Sequence, residues 1–435
     1  GLRKDIMFKF AHMADIHIGA HKDKRLIDLE IESFNESIDI CIKEGVKFII
    51  IAGDFFHEPV PELEQVRKII KKLIELSELN IPVYVVYGSH DKWGSGETII
   101  ELLEAAKLII KIYNPKTVDG KIRLEMHQDK ETGVKLAGIP GKRGGLEIHI
   151  FERLDREHLE NQDGLKIFVF HSGIEELKPD FLKNAMDMEC IPINLFPKGF
   201  DYYAGGHIHK RDEFNIQNYQ NIIFPGPSFI GHGWKDYADV SKGEKRGFYI
   251  VSCENNKIID NGIKFIEMNK IEGKFIEFDD VTGKRAKQVN EEINKKLEEE
   301  DVDNKLVTIR IFGELLSGNK ADIDTSAIRK LLTNKNAIAP QINDRKVTTK
   351  EVRKIRMSSE DKLEIEEELF KESIINIKPE SHSLQNEKGI IMAKELLKIL
   401  KKSPKDSSGK NSTALQNKIT KSSIEILGIS EIMEE

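Results

Sequence analysis

The stretch "PVYVVYGSHDKW", Pro82 to Trp93, decides the fold. It opens as a β-branched and aromatic run and closes on Gly88-Ser89-His90-Asp91, so an apolar strand delivers polar chemistry at its tip. Two earlier stretches have the same shape. "MFKFAHMAD" (Met7 to Asp15) leads into Asp15-Ile16-His17, and "VKFIIIAGD" ends at Asp54. Between them Ile27, Ile31, Phe34, Ile38, Cys41 and Ile42 recur at helical spacing, and Val66, Ile69, Ile70, Leu73 and Leu76 mark a second helix face. Strands alternating with amphipathic helices predict parallel crossovers and an α/β sheet.

Further along, "VKLAGIPG" (134–141), "LKIFVFHSG" (165–173), "FDYYAGGHIH" (200–209), "NIIFPGPS" (221–228) and "GFYIVSC" (247–253) follow with less helix between them. The second half is therefore expected to be richer in strand. The register changes between Phe265 and Gly273. After it, "GKFIEFDD", a charged helix from about Lys284 to Glu299, "KLVTIRIFGEL", a short helix near Ile328 and "NAIAPQI" predict a small separate α/β unit. Beyond Arg353 the chain turns strongly charged, and residues 401–418 read as a flexible linker. On either side of it "GIIMAKELLKILKK" and "SSIEILGISEIMEE" carry apolar residues at three- and four-residue steps, a pattern that suits docking in a partner's groove. Three divisions result: 7–265, 266–352 and 353–435.

Composition narrows the possibilities. The 435 residues hold 67 Lys and Arg against 74 Asp and Glu, a net charge of −7. With no basic excess, a nucleic-acid partner must be met by a local basic face or by metal ions. Cys41, Cys190 and Cys253 have no paired spacing, which predicts a reducing, cytoplasmic setting. No apolar run is long enough to cross a bilayer, and "GLRKDIMFKF" lacks the apolar segment of a secretion signal.

Five strand tips carry chemistry: Asp15 and His17, then Asp54, then Ser89, His90 and Asp91, then His171, then His207 and His209. In open α/β sheets the ligand crevice forms at the carboxyl ends of the strands. Two of these aspartates and four of these histidines already exceed the needs of one cation, and mixed oxygen and nitrogen donors suit manganese, iron or zinc rather than calcium. The expectation is a two-metal site in which Asp54 lends an oxygen to each ion. Paired ions roughly 3.5 to 4 Å apart clamp the attacking and leaving oxygens in phosphoryl transfer. The glycines of "GGHIH" permit close backbone approach. His12, His127 and His158 read as satisfied residues outside the site.

The five elements "DIH", "GD", "GSHD", "HS" and "GHIH" resemble the motifs of calcineurin-like metallophosphoesterases, over Met7 to about Phe265. Within that superfamily "HMADIHIG", "IIAGDFFH" and "GGHIHKRD", followed by a small α/β domain, resemble DNA break-repair nucleases of the SbcD and Mre-eleven type. The resemblance implies a four-layer metallophosphoesterase sandwich, a small α/β capping domain and a C-terminal helical tail that binds a coiled-coil ABC ATPase. It implies two manganese ions per chain. Asp15, His17, Asp54 and His209 hold the first, and Asp54, His171 and His207 the second. His90 faces the scissile phosphate with Asp91 fixing its ring, and His57 lies near the phosphate. A water made acidic by the cations is the nucleophile. The family's third motif carries an asparagine as a ligand of the second metal where this chain has Ser89, a shorter and poorer donor, so the second site is expected to be the weaker.

Around the centre, "HKDKR" with Lys22, Lys24 and Arg25 and "GKRGG" with Lys142 and Arg143 are candidate phosphate contacts. Helices near 61–78 and 97–110, with Ile99, Ile100, Leu102 and Leu103, carry apolar surface for either a helical homodimer or the monomer core. The functional expectation is a manganese-dependent exonuclease and endonuclease acting at DNA ends. A small-molecule phosphatase or phosphodiesterase, and a DNA-tethering scaffold weakened by Ser89, stay open on sequence.

Overall fold

The apolar strands are covered on both faces. In the computed structural model, β1 (Met7–Met13), β2 (Val46–Ala52), β3 (Val83–Val86) and β4 (Ile110–Lys111) run parallel and adjacent in that order. Gly247–Glu254 pairs antiparallel with β1, and Lys257–Glu267 completes a six-stranded sheet. Alternate residues face opposite sides, as the period of two demands. Ala11, Met13, Ile49, Ile51, Val83 and Val85 pack against Phe34, Ile38 and Cys41 of α1 (Lys24–Glu44) and Ile69, Leu73 and Leu76 of α2 (Leu63–Glu78). Phe10, Phe48, Ile50, Tyr84 and Val86 turn the other way. They meet Ile167, Val169, Tyr202 and Ala204 of a second sheet.

That second six-stranded sheet has the order Asp212–Ile216, Tyr219–Phe224, Tyr202–Gly206, Lys166–His171, Lys135–Ile139, His127–Gln128. Its outer face, with Phe168, Phe170 and Tyr203, packs on Phe151, Leu159 and Phe196. The short helices Ile148–Glu152 and Arg156–Glu160 supply Phe151 and Leu159. Helices, two sheets and a further helical layer make the four-layer α/β sandwich expected from sequence. Truncating a fully buried aromatic between the sheets, such as Phe48, would cost about 3–5 kcal/mol.

Helix α1 begins at Asp23, whose carboxylate accepts from the Arg25 N–H, and stops at Gly45, whose φ of 69° closes the last turn onto Cys41 and Ile42. A three-stranded sheet orders Gly273–Glu277, Leu306–Leu315 and Ile338–Thr349, with the first pair parallel. Helices Ala286–Glu299 and Thr325–Asn334 fall where charged and short helices were expected.

The described residues are 7–92, 96–178, 190–268, 270–278, 280–349, 389 and 391–396. They divide into two compact units. One takes the described residues of Gly1–Asp279, Glu291–Ile311 and Asp324–Arg345; the other takes those of Asp280–Asn290, Phe312–Ile323 and Lys346–Glu435. Of the expected tail helices, residues 389 and 391–396 are helical, and the remainder with the linker lies outside the described residues.

Candidate metal centre

The carboxyl edges of the two sheets meet, and the loops that leave β1 and β2 are locked together through backbone. Beyond β1, Asp15, His17 and Ile18 donate to the carbonyls of Gly53, Asp54 and Phe55, and His57 donates back to Ile18. Four functional side chains sit on left-handed backbone: Asp15 (φ 51°), His17 (53°), Asp54 (50°) and His207 (81°). Aspartate and histidine are among the residues that tolerate this region best, and such strain concentrates at functional sites. The glycines are demanded by contact: a Cβ on Gly206 would stand 1.9 Å from the Ala52 carbonyl oxygen, and one on Gly88 2.0 Å from Asp54 Oδ1.

Asp15, His17 and His209 form one group of convergent ligand atoms, and Asp15, Asp54 and His171 another. Asp54 Oδ2 is 3.6 Å from His17 Nε2 and 3.2 Å from His171 Nε2, so a single carboxylate oxygen reaches imidazoles of both groups. His17 Nε2 and His209 Nε2 face each other at 3.1 Å. The His207 ring lies 5.3 Å from that of His171, and the backbone N–H of His207 donates to both oxygens of Asp15 at 2.9 and 3.1 Å. Of the ligand positions expected from resemblance, Asp15, His17, Asp54, His171 and His209 fall in these two groups, and His207 belongs to neither. The Ser89 hydroxyl makes no hydrogen bond to the described residues, although the next residue's N–H is tied to Asp54 Oδ1 at 2.8 Å.

Outer partners aim the rings. His171 Nδ1 lies 2.8 Å from the Ala52 carbonyl, and His209 Nδ1 2.8 Å from Asp236 Oδ2, which turns both Nε2 atoms inward. His171 Nε2 is buried with no hydrogen-bond partner, although Asp54 Oδ2 is close. Carboxylate and imidazole therefore point into a shared space rather than along a line to each other. An orphaned buried nitrogen beside two buried carboxylates fits a divalent cation.

The electrostatics agree. Burial raises Asp15 above the usual carboxylate range. Burial pushes Asp54 the same way, but His171, His17 and His90 outweigh it and hold Asp54 well below that range. Burial alone would lower His171; Asp54 and Asp15 instead raise it to about 10, so without a cation a proton takes the compensating place. Burial and neighbouring imidazoles lower His17, and lower His207 to about 4, which leaves their lone pairs free to bind.

His90 lies beside this cluster with its Nδ1 3.1 Å from the His57 carbonyl, and its ring stacks on His57 with centroids 4.8 Å apart. Asp91, expected to fix that ring, instead accepts from the backbone N–H groups of Gly88, Phe56 and Phe55 at 2.7, 2.9 and 3.3 Å. Its carboxylate is wholly buried beneath the loop, so it shapes the loop that carries His90. Lys22, Lys24, Lys142 and Arg143 are exposed, whereas Arg25 reaches Asn336 Oδ1 at 3.1 Å and the Ala337 carbonyl at 2.9 Å. His12 is a core residue, bonded to the Tyr202 hydroxyl at 3.0 Å.

Sequence reasoning missed His232 and Asp236. The His232 ring lies 4.5 Å from His17 and 4.8 Å from His90, and Asp236, held by Arg246, orients His209. The available signal was "GHG" (231–233), a histidine between two glycines after another strand.

A double sheet with buried carboxylates and inward-facing imidazoles at its junction is the framework of a metal-dependent phosphoesterase, and residues 8–211 match the calcineurin-like phosphoesterase family. The protein named DNA double-strand break repair protein Mre11 of Methanocaldococcus jannaschii is 30% identical over 336 residues, 76% of this chain and 82% of that protein. Proteins of the same name match from Methanococcus maripaludis (29% over 250 residues, 56% of this chain and 62% of the relative) and Sulfurisphaera tokodaii (27% over 355 residues, 78% and 81%). The chain belongs to the calcineurin-like metallophosphoesterases and, within them, to the family of the Mre11 DNA double-strand break repair proteins. It spans a little under two thirds of the M. maripaludis relative's length.

Proposed function

We propose that the chain hydrolyses phosphodiester bonds of DNA at broken double-strand ends, as exonuclease and endonuclease, with two manganese ions. The observation that carries the reading is the buried Nε2 of His171, which has no hydrogen-bond partner and faces Asp54 Oδ2 across 3.2 Å, an arrangement that a shared cation would complete. Asp15, His17, Asp54 and His209 would hold one ion, and Asp54, His171 and His207 the other, with Ser89 as a weak further donor. Bound cations supply Lewis acidity, lowering the pKa of a water and offsetting charge on the phosphoryl oxygens. His90, its Nδ1 turned to the His57 carbonyl, presents Nε2 towards the leaving oxygen. His57 stacks behind it, and Asp91 positions the loop.

DNA as substrate comes from the relatives named for double-strand break repair. Lys22, Lys24, Lys142 and Arg143, with Arg25 at the start of α1, are the candidate phosphate contacts. A homodimer would use the exposed Leu63, Ile74 and Leu102; Ile99, Ile100 and Leu103 are spent on the monomer core. Residues 266–352 would cap the centre, and 353–435 would engage a coiled-coil ABC ATPase in the cytoplasm.

Labelled hairpin and blunt-ended DNA incubated with the purified chain, with manganese or a chelator, tests the proposal beside His90→Ala. Manganese-dependent cutting that the variant loses is expected. Cutting that persists in chelator would overturn it.

A further inference from the structure

One group of imidazoles contains no carboxylate. His17, His57, His90 and His232 each place a ring nitrogen within 4.8 Å of the others. The rings of His57 and His90 are stacked at 22°, and His232 lies 5.0 Å from His57 and 4.8 Å from His90, centroid to centroid. His90 turns Nδ1 to a carbonyl, the outer hydrogen bond that commonly orients a metal-bound imidazole. His232 is presented by a loop built for it. Gly231 and Gly233 have φ of 93° and 77°, and the His232 N–H is anchored on Asp236 Oδ2 at 2.7 Å. The same carboxylate orients His209, so the two histidines share one support.

We infer that His57, His90 and His232 form a third divalent-cation site, made of nitrogen alone and selective for zinc over manganese. Carboxylate-rich sites suit manganese, whereas imidazole-only sites favour zinc and the later first-row ions. His17 is the wall between the two kinds of site: its Nε2 faces Asp54 at 3.6 Å, and its Nδ1 faces His57 at 3.5 Å. Zinc at the third site withdraws the lone pairs of His57 and His90. On the phosphodiesterase reading, those are the groups that meet the substrate, so zinc inhibits a manganese-loaded enzyme. The site itself stands on the histidine geometry and not on that reading.

Zinc and manganese bound per chain are counted by equilibrium dialysis and elemental analysis in the wild type, His232→Ala and His232→Asn. The wild type is expected to hold about one more zinc than manganese, and both variants to lose that extra zinc while keeping their manganese. Equal counts of the two metals in the wild type, or variants that lose manganese along with zinc, would overturn the site. A measurement free of substitutions is cobalt(II) added to manganese-loaded wild type: intense visible bands of a four-coordinate nitrogen-rich site are expected, and their absence is contrary. Because no DNA is used, a chain that binds the extra zinc but cuts no DNA would count against the nuclease proposal and leave the third site standing.

Discussion

The two sheets bring unequal chemistry to their shared edge. The first supplies both carboxylates, Asp15 and Asp54, together with His17 and His90; the second supplies imidazoles alone, His171, His207 and His209. Carboxylates provide the charge that holds a cation, and imidazoles provide directional neutral donors. Neither sheet edge is a metal site without the other. Binding is therefore tied to the packing of Phe10, Phe48 and Tyr84 against Tyr202 and Ile167, and the strands had to be apolar on both faces to make that junction.

The division can be broken most directly at Asp54, which reaches histidines of both groups. Asp54→Asn should reduce metal binding and any cleavage by more than about a hundredfold, because removing only an outer partner of a ligand already costs roughly 10–100-fold. Elemental analysis and a cleavage assay check this, with His207→Asn alongside. An equal loss in the two variants would erase the asymmetry between the sheets.

On the imidazole side, Asp236→Asn keeps the shape of the group that orients His209 but removes its charge. Metal affinity is expected to fall roughly 10–100-fold, and the metal-free protein to unfold at a lower temperature because buried Arg246 loses its charged partner. Unaltered affinity would mean that Asp236 serves the loop and not the ligand.

The proton on His171 sharpens the comparison further. Its pKa is raised to about 10, so this group's contribution to the stability of the metal-free fold is complete below about 6.5 and fades as pH climbs through about 10. A cation must displace that proton, so manganese affinity should increase by about tenfold per pH unit across the neutral to mildly alkaline range. Calorimetry in buffers of different ionisation enthalpy would count the released proton, and His171→Gln should release none from this position.

The smallest effect is expected at Ser89. Ser89→Asn lengthens the donor and should tighten the weaker of two metal-binding phases without changing the stronger. Identical two-site isotherms for both proteins would remove any role for position 89.

The strand tips were legible in the sequence because each side chain follows a strand whose apolar alternation is local: β1 leads to Asp15, β2 to Asp54 and β3 to His90. Which partner each side chain takes was not. Asp91 is next to His90 in the chain, yet its oxygens are taken by N–H groups of Phe55 and Phe56, thirty-five or more positions away. Arg25 lies in a basic run but is tied to Asn336 and Ala337. Leu102 is exposed while Leu103 beside it is buried, a difference set by how a short helix lies on the sheet. His232 stands alone in the sequence and joins the other histidines only after folding.

Crystals of the protein grown with manganese, measured at the manganese absorption edge, test the central claim most directly. Two anomalous peaks roughly 3.5 to 4 Å apart, flanking the Asp54 carboxylate with His17 and His209 on one side and His171 on the other, are the predicted result. Strong peaks elsewhere on the chain, with this junction bare, would contradict it.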